Sequence, residues 1–162
     1  MAKKSEFNYT LDMQDNHLEN QNYLKLLLRQ LTVKGSRHKG EMILFNLCKK
    51  LKHEYKNQSV TSLVYTAIEN VKPFLEIRNV RVSGMTRQVP SILNQNRQTA
   101  LAIRWIIEAA KKRNKKTSLT FSDTLCLEIL DALKKRGTTK QKTEELHKVA
   151  VLNRAFAHYR WW

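Results

Sequence analysis

Apolar residues recur along this chain at steps of three and four, the spacing that puts them on one face of a helix. Tyr23, Leu24, Leu27, Leu28 and Leu31 form the first such stripe, on a helix that ends before Gly35. A second helix follows Gly40, with Ile43, Leu44, Leu47, Cys48 and Leu51 inward and Lys49, Lys50 and Lys52 outward. The third carries Val60, Leu63, Val64, Ala67, Ile68 and Val71, with Ser59 placed to cap it and Pro73 to stop it. A fourth spans about Asn96 to Lys112, with Leu101, Ala102, Trp105, Ile106 and Ala109 inward. The fifth begins near Ser122 or Asp123, carries Leu125, Ile129, Leu130 and Leu133, and meets a stop at Gly137. The sixth covers roughly Lys140 to His158, with Leu146, Val149, Ala150, Asn153 and Phe156 on one face.

The period changes between Phe74 and Ile92. Val80, Val82 and Val89 are β-branched, polar and apolar residues alternate imperfectly, and Ser83-Gly84 supplies a turn. This predicts a β-hairpin over about residues 74–92, its returning strand short or at an edge because Pro90 cannot donate to a ladder. The pattern is therefore mainly α: one domain of six helices and a hairpin over residues 20–162. Residues 1–19 show no sustained apolar period and read as a flexible N-terminal arm. The acidic residues Glu6, Asp12, Asp15 and Glu19 in that arm do not suit a transit peptide, which predicts an arm kept in the mature protein.

Charge narrows the function. The chain has 162 residues, and 30 Lys and Arg against 14 Asp and Glu give a net charge of +16. Such an excess repels itself in a folded domain and makes sense where a polyanion supplies the counter-charge. Nucleic acid is the expected partner, ahead of an acidic membrane surface. Apolar runs such as Met42-Ile43-Leu44-Phe45 are far too short to span a bilayer, so no membrane partner is expected.

Little in the sequence offers catalysis. Cys48 and Cys126 lie far apart, lack the spacing of a zinc or redox pair, and sit in apolar stretches, as buried free thiols would. Gly35 to Gly40 has the glycine spacing of half a P-loop, but Glu41-Met42 stands where phosphate and magnesium require Lys followed by Ser or Thr. Histidines 17, 38, 53, 147 and 158 show no metal-ligand spacing. Glu144 and Glu145 near His147 suit a solvated helix face better than a general-base site. No enzyme, cofactor, metal or catalytic residue is expected.

What remains is basic residues interleaved with aromatics. The end of the chain reads Asn153-Arg154-Ala155-Phe156-Ala157-His158-Tyr159-Arg160-Trp161-Trp162. Arginines neutralise phosphates and aromatic rings stack on unpaired bases, which favours structured RNA over smooth duplex DNA. Further basic clusters lie at 34–39, 78–116 and 134–160. The hairpin arginines 78, 81 and 87 gain nothing from the core on this reading; the alternative is that Glu76 pairs with one of them and the rest are solvated. Arg97, Arg104 and Lys111, seven apart, line one outer face of the fourth helix. The alternative is a basic helix-turn-helix DNA-binding protein with helix five or six as its reader.

Several ordered motifs carry a resemblance. They are Glu69-Asn70-Val71-Lys72-Pro73; Gly84 with Gln88-Val89-Pro90; Arg97 with Leu101-Ala102, Arg104-Trp105, Glu108-Ala109-Ala110 and Arg113; Glu128-Ile129-Leu130-Asp131-Ala132; and His147 with Asn153 to Trp161. Together they resemble small-subunit ribosomal protein seven of the bacterial type, over roughly residues 20 to 162. The stretch Asn114 to Thr124 and the doubled tryptophan are similar to the mitochondrial branch of plants and protists.

The resemblance implies a six-helix domain with a protruding hairpin. It also implies a structural constituent of the small ribosomal subunit that binds rRNA and nucleates the head at a multi-helix junction of the 3′ major domain. Small-subunit protein eleven and other head proteins would be neighbours, with the exit-site tRNA and the mRNA path close by. The implied location is the mitochondrial matrix, with a plastid or the bacterial cytoplasm as alternatives. Carried across, the RNA-contact candidates are Lys34, Arg37, Lys39, Arg78, Arg81, Arg87, Arg97, Lys111, Arg113, Lys140, Lys142, Arg154 and Arg160. Three places depart from the family's pattern: Gly35-Ser36-Arg37 replaces a more basic loop, Arg97-Gln98 replaces paired arginines, and Ser83-Gly84 replaces a pair of glycines.

Overall fold

The computed structural model describes residues 18–161. Six α-helices surround one core: α1 (Leu18–Leu31), α2 (Arg37–Glu54), α3 (Val60–Val71), α4 (Gln95–Asn114), α5 (Phe121–Leu133) and α6 (Gly137–Leu152). Between α3 and α4 stands an antiparallel hairpin, β1 (Leu75–Val82) and β2 (Met85–Ile92), and a 3₁₀ helix (Arg154–Tyr159) follows α6. The arm expected over 1–19 lies outside the described residues, apart from 18 and 19, which already belong to α1.

Helix α5 is the centre of the packing. It touches α2, α3, α4 and α6, and buries Leu125, Cys126, Ile129, Leu130 and Ala132 together with the polar Thr124 and Glu128. Its start is one turn residue earlier than the apolar stripe suggests. Thr120 caps it, donating from Oγ1 to Asp123 Oδ2 at 2.7 Å and accepting from the Asp123 N–H at 3.4 Å. Ser59 caps α3 in the same manner, accepting from the Ser62 N–H at 3.2 Å.

Four elements differ from the pattern reading, each for a local reason. Helix α2 starts at Arg37, so Gly40 is inside it rather than before it. That glycine lets α1 approach: a Cβ there would stand 3.3 Å from Leu28 Cδ1 and 3.4 Å from Thr32 Oγ1. Arg37 and Lys39 consequently ride the first turn of α2, not a loop. In α4 the buried set is wider and rotated, Thr99, Ala102, Ile103, Trp105, Ile106, Ile107 and Ala110, because α1, α3, α5 and α6 all pack against it. Leu101 and Ala109 are only partly covered.

Helix α5 does not stop at Gly137. Lys135 adopts the left-handed conformation (φ 54°), and the Arg136 N–H donates to Asp131 O at 2.8 Å while the Lys135 N–H donates to Ala132 O at 3.1 Å. This is a Schellman closure with lysine where glycine is usual. Gly137 (φ 89°) instead opens α6, pressed so closely that an added Cβ would meet Asp131 Cβ at 3.0 Å.

The last helix is also shorter than its stripe. Helix α6 ends at Leu152, and Asn153 turns the chain, its Nδ2 donating to Val149 O at 2.8 Å. Its buried line is Thr139, Thr143 and Ala150, while Val149 is exposed. Those threonines lie outside the apolar stripe read from the sequence. Thr143 Oγ1 in fact donates to Val71 O at 3.0 Å and Lys140 Nζ to Asn70 O at 3.3 Å, satisfying carbonyls at the end of α3. Asn70 does the same for α5, donating from Nδ2 to Ala132 O at 3.2 Å and Leu133 O at 3.3 Å.

The hairpin pairs Leu75 with Ile92 through to Val82 with Met85, across a two-residue turn in which Ser83 (φ 49°) and Gly84 (φ 82°) are both left-handed. Strand β2 is a full eight residues and runs through Pro90; it is an edge because a two-stranded ribbon has only edges. The base is docked: Val89 and Ser91 are buried, and the Phe74 ring stacks on His147 of α6 with centroids 6.0 Å apart. The tip, from Arg81 to Thr86, stands mostly exposed.

Candidate nucleic-acid interface

The outer face of α4 carries a long basic surface. Arg97, Arg104, Lys111 and Lys115 fall within about 40° of one line, since seven residues turn an α-helix almost two full circles. From Arg97 to Lys115 that line runs about 27 Å at 1.5 Å per residue, and all four residues are exposed. Glu108 interrupts it, and Lys142 of α6 answers it, Nζ to Oε2 at 2.9 Å. The same Nζ lies 5.2 Å from the Trp105 ring centroid, so Lys142 covers the buried indole as well as cancelling a carboxylate.

At its N-terminal end the stripe joins the hairpin. Glu76 of β1, with a side chain 13% exposed, meets Arg78 Nε through Oε1 at 2.6 Å and Arg97 Nε through Oε2 at 3.4 Å. One carboxylate therefore serves two of the sequence-derived candidates, one on the hairpin and one on α4. Gln98, standing where an arginine pair would continue, donates to Leu93 O at 3.0 Å and closes the strand-to-helix turn.

Other candidates have internal duties. Arg113 reaches from α4 into the α5 and α6 junction, with Nη1 at 3.1 Å from Glu128 Oε1 and 3.0 Å from Asp131 Oδ2. Glu128 is buried, which pushes its carboxyl above the ordinary range; Arg113 opposes that push, Asp131 adds to it, and Thr138 opposes it. Its Oε2 has no hydrogen-bond partner among the described residues. Lys140 is committed to the α3 terminus, as above. Arg87 does gain from the body of the domain: its guanidinium lies 4.9 Å from the Phe156 centroid, and Phe156 stacks on Tyr159 at 6.3 Å. Asn153 Nδ2 also donates to Gln88 Oε1 at 3.4 Å, so the 3₁₀ segment holds β2 from the side.

The remaining candidates face outward. Lys34 (φ 53°), Arg37 and Lys39 gather at the first turn of α2, where Arg37 pairs with Glu41 at 2.8 Å. Arg78 and Arg97 are half-exposed, and Arg81, Lys111, Arg154 and Arg160 are exposed. Among the described residues no carboxylate pairs with Lys34, Lys39, Arg81, Arg104, Lys111 or Arg154. Arg104, Lys112, Lys115 and Lys116 share this exposure but were outside the candidate set. The heptad spacing from Arg97 to Lys111 was the signal that could have added Arg104.

The buried ionisable groups suit packing. Burial pushes the thiols of Cys48 and Cys126 up to about 11. Burial pulls Lys72 down, but its bonds to Glu69 and Tyr23 overcome that and raise it. Among the described residues there is no group of His, Cys, Asp and Glu able to hold a metal, and no helix is long and apolar enough to cross a membrane.

Comparison with known proteins gives the family of the chain. The family model described as Ribosomal protein S7p/S5e matches residues 3–154. Small ribosomal subunit protein uS7m of Marchantia polymorpha is 43% identical over 140 residues, covering 86% of this chain and 60% of the relative. Small ribosomal subunit protein uS7 of Nitratiruptor sp. is 41% identical over 134 residues, covering 83% of this chain and 84% of the relative. The protein of the same description from Paracoccus denitrificans is 39% identical over 138 residues, covering 85% and 86%. The chain thus spans less than two thirds of the Marchantia protein and most of the bacterial ones.

Proposed function

The chain belongs to the ribosomal protein S7p/S5e family, whose relatives here are small-subunit proteins and not enzymes, and from that premise we propose that it binds rRNA directly and nucleates the head of the small subunit. The partner RNA is a multi-helix junction of the 3′ major domain. The observation that carries this is the unanswered charge: Arg104 and Lys111 on the α4 stripe, Lys34 and Lys39 at the α2 turn and Arg81 at the hairpin tip are exposed cations that no carboxylate neutralises among the described residues.

The mechanism is placement. Lysines and arginines displace condensed counterions from phosphates, while the placement of the hairpin beside α4 fixes where RNA helices meet. Lys34, Arg37, Lys39, Arg78, Arg81, Arg97, Lys111, Arg154 and Arg160 are the direct contacts. Arg87, Arg113, Lys140 and Lys142 hold that surface in shape through contacts within the protein. The exposed hairpin tip reaches toward the exit-site tRNA and mRNA path, and protein eleven and other head proteins are the protein neighbours. A mitochondrial ribosome is the home, on the strength of the uS7m relative; the bacterial relatives suit a plastid or the bacterial cytoplasm as the alternative.

The helix-turn-helix reading has the wrong readers. Helix α5 is buried nearly all round, with Leu127 its one exposed residue. The outer face of α6 holds Glu144, Glu145, Val151 and Leu152 beside Lys148, which no phosphate-lined groove would favour. A competition assay decides. An rRNA junction fragment should displace the protein from duplex DNA of similar length, and the protein should stay with small subunits through a high-salt wash. Equal affinity for the duplex would contradict the proposal.

A further inference from the structure

Arg97 sits in the first turn of α4, where the helix dipole disfavours a cation, and that turn contains no acidic residue of its own. The compensating anion comes from another element. Glu76 lies near the base of β1, opposite Ser91, and gives one oxygen to Arg78 and the other to Arg97. Each guanidinium is engaged through Nε and remains about half exposed, 49% and 51%, while the carboxylate between them is largely hidden. Two like charges on separate elements would otherwise spread apart.

We propose that Glu76 is a positioning residue for RNA: it holds Arg78 and Arg97 together as a single two-guanidinium site for backbone phosphate, and ties the base of the hairpin to α4. This rests on the rRNA-binding reading above. A pair of guanidiniums fixed side by side recognises phosphate oxygens by direction as well as charge, and little ordering remains to be done on binding.

The consequence has an unexpected sign. Glu76→Gln removes a negative charge, taking the net from +16 to +17 (16 + 1), and simple electrostatics then favours tighter RNA binding. Positioning requires the reverse. With a 3′ major domain junction fragment of small-subunit rRNA as probe, Glu76→Gln should bind about three- to tenfold more weakly at fixed salt, within the range of coupled charge contacts. In an Arg78→Gln/Arg97→Gln background the same change should no longer weaken binding, because nothing is left to position and only the lost negative charge acts. Equal or tighter binding by Glu76→Gln overturns the inference, as does an undiminished loss in the double-arginine background.

If Glu76→Gln does not fold, the arginines carry the test alone. Acting as one site, Arg78→Gln and Arg97→Gln together should lose less affinity than the product of their separate losses; a full product overturns the inference. A wild-type chain that fails to bind the fragment removes the rRNA reading itself, an outcome distinct from any of these.

Discussion

Arg113 shows how environment, not charge, decides what a basic residue does. By sequence it closes the basic run Lys111 to Lys116 and resembles its RNA-facing neighbours. In the fold it is partly covered and faces two carboxylates, one buried with a free oxygen. Nothing in its local sequence announces this, because Glu128 and Asp131 lie fifteen and eighteen residues away (128 − 113 and 131 − 113). Removing Arg113 strands a buried charge. Arg113→Gln should therefore destabilise the domain by about 2–3 kcal/mol, below the ~3–5 of a fully buried pair because the guanidinium is about a third exposed. Burial already raises Glu128, so its ionisation opposes folding as pH rises through that titration. The Arg113→Gln deficit should be largest at neutral pH and shrink on acidification, read from urea midpoints across the carboxylate range. A pH-independent deficit would remove Glu128 from the explanation.

The cysteines give a second residue-scale check. Their thiols, lifted to about 11 by burial, stay neutral while unfolded thiols ionise near 9.0. That preference for the neutral form is fully present below pH 9.0 and is lost as pH rises toward 11. At pH 8 iodoacetamide should label native protein far more slowly than urea-unfolded protein. Rapid native labelling would mean that α2 and α5 do not pack as described.

At the scale of elements, the regular pattern was legible where the buried residues keep to one narrow apolar stripe. The stripes of α1, α2 and α3 match their buried residues, and Ser59 caps α3 as expected. Legibility failed where a helix is wrapped or its contacts are polar. In α4 the buried face extends from Thr99 to Ala110 over more than one stripe, and α6 packs through Thr139 and Thr143, which no hydrophobic period reveals. The hairpin was foreseen with its turn, but not its attachment to the 3₁₀ helix, since the Arg87 and Phe156 contact spans sixty-nine residues (156 − 87). Arg87→Gln should loosen β2 by about 0.5–2 kcal/mol, the scale of a cation–π contact. Arg81→Gln, at the exposed tip, should leave it unchanged. Amide exchange in β2 separates the two; equal protection in both variants would show that the ribbon does not lean on Phe156.

For the whole molecule, the net charge pointed to a polyanion before any fold was known, and the folded surface says where it is available. Composition alone could not sort cations that answer internal carboxylates from those that do not. Trp105 belongs to the interior half of that division: it is buried beneath Lys142. Trp105→Ala should cost about 3–5 kcal/mol through the cavity it leaves, and calorimetric melting should show it. A variant that melts normally but binds RNA poorly would place this indole on the surface instead.

The central claim is that several separated basic surfaces engage one RNA at once. Its most direct test is the salt dependence of binding to the rRNA junction fragment. Three engaged surfaces, at the α2 turn, along α4 with the hairpin, and at the C-terminal segment, predict a log–log slope corresponding to about five to ten phosphates. A slope near one would mean a single local contact, and would contradict the account.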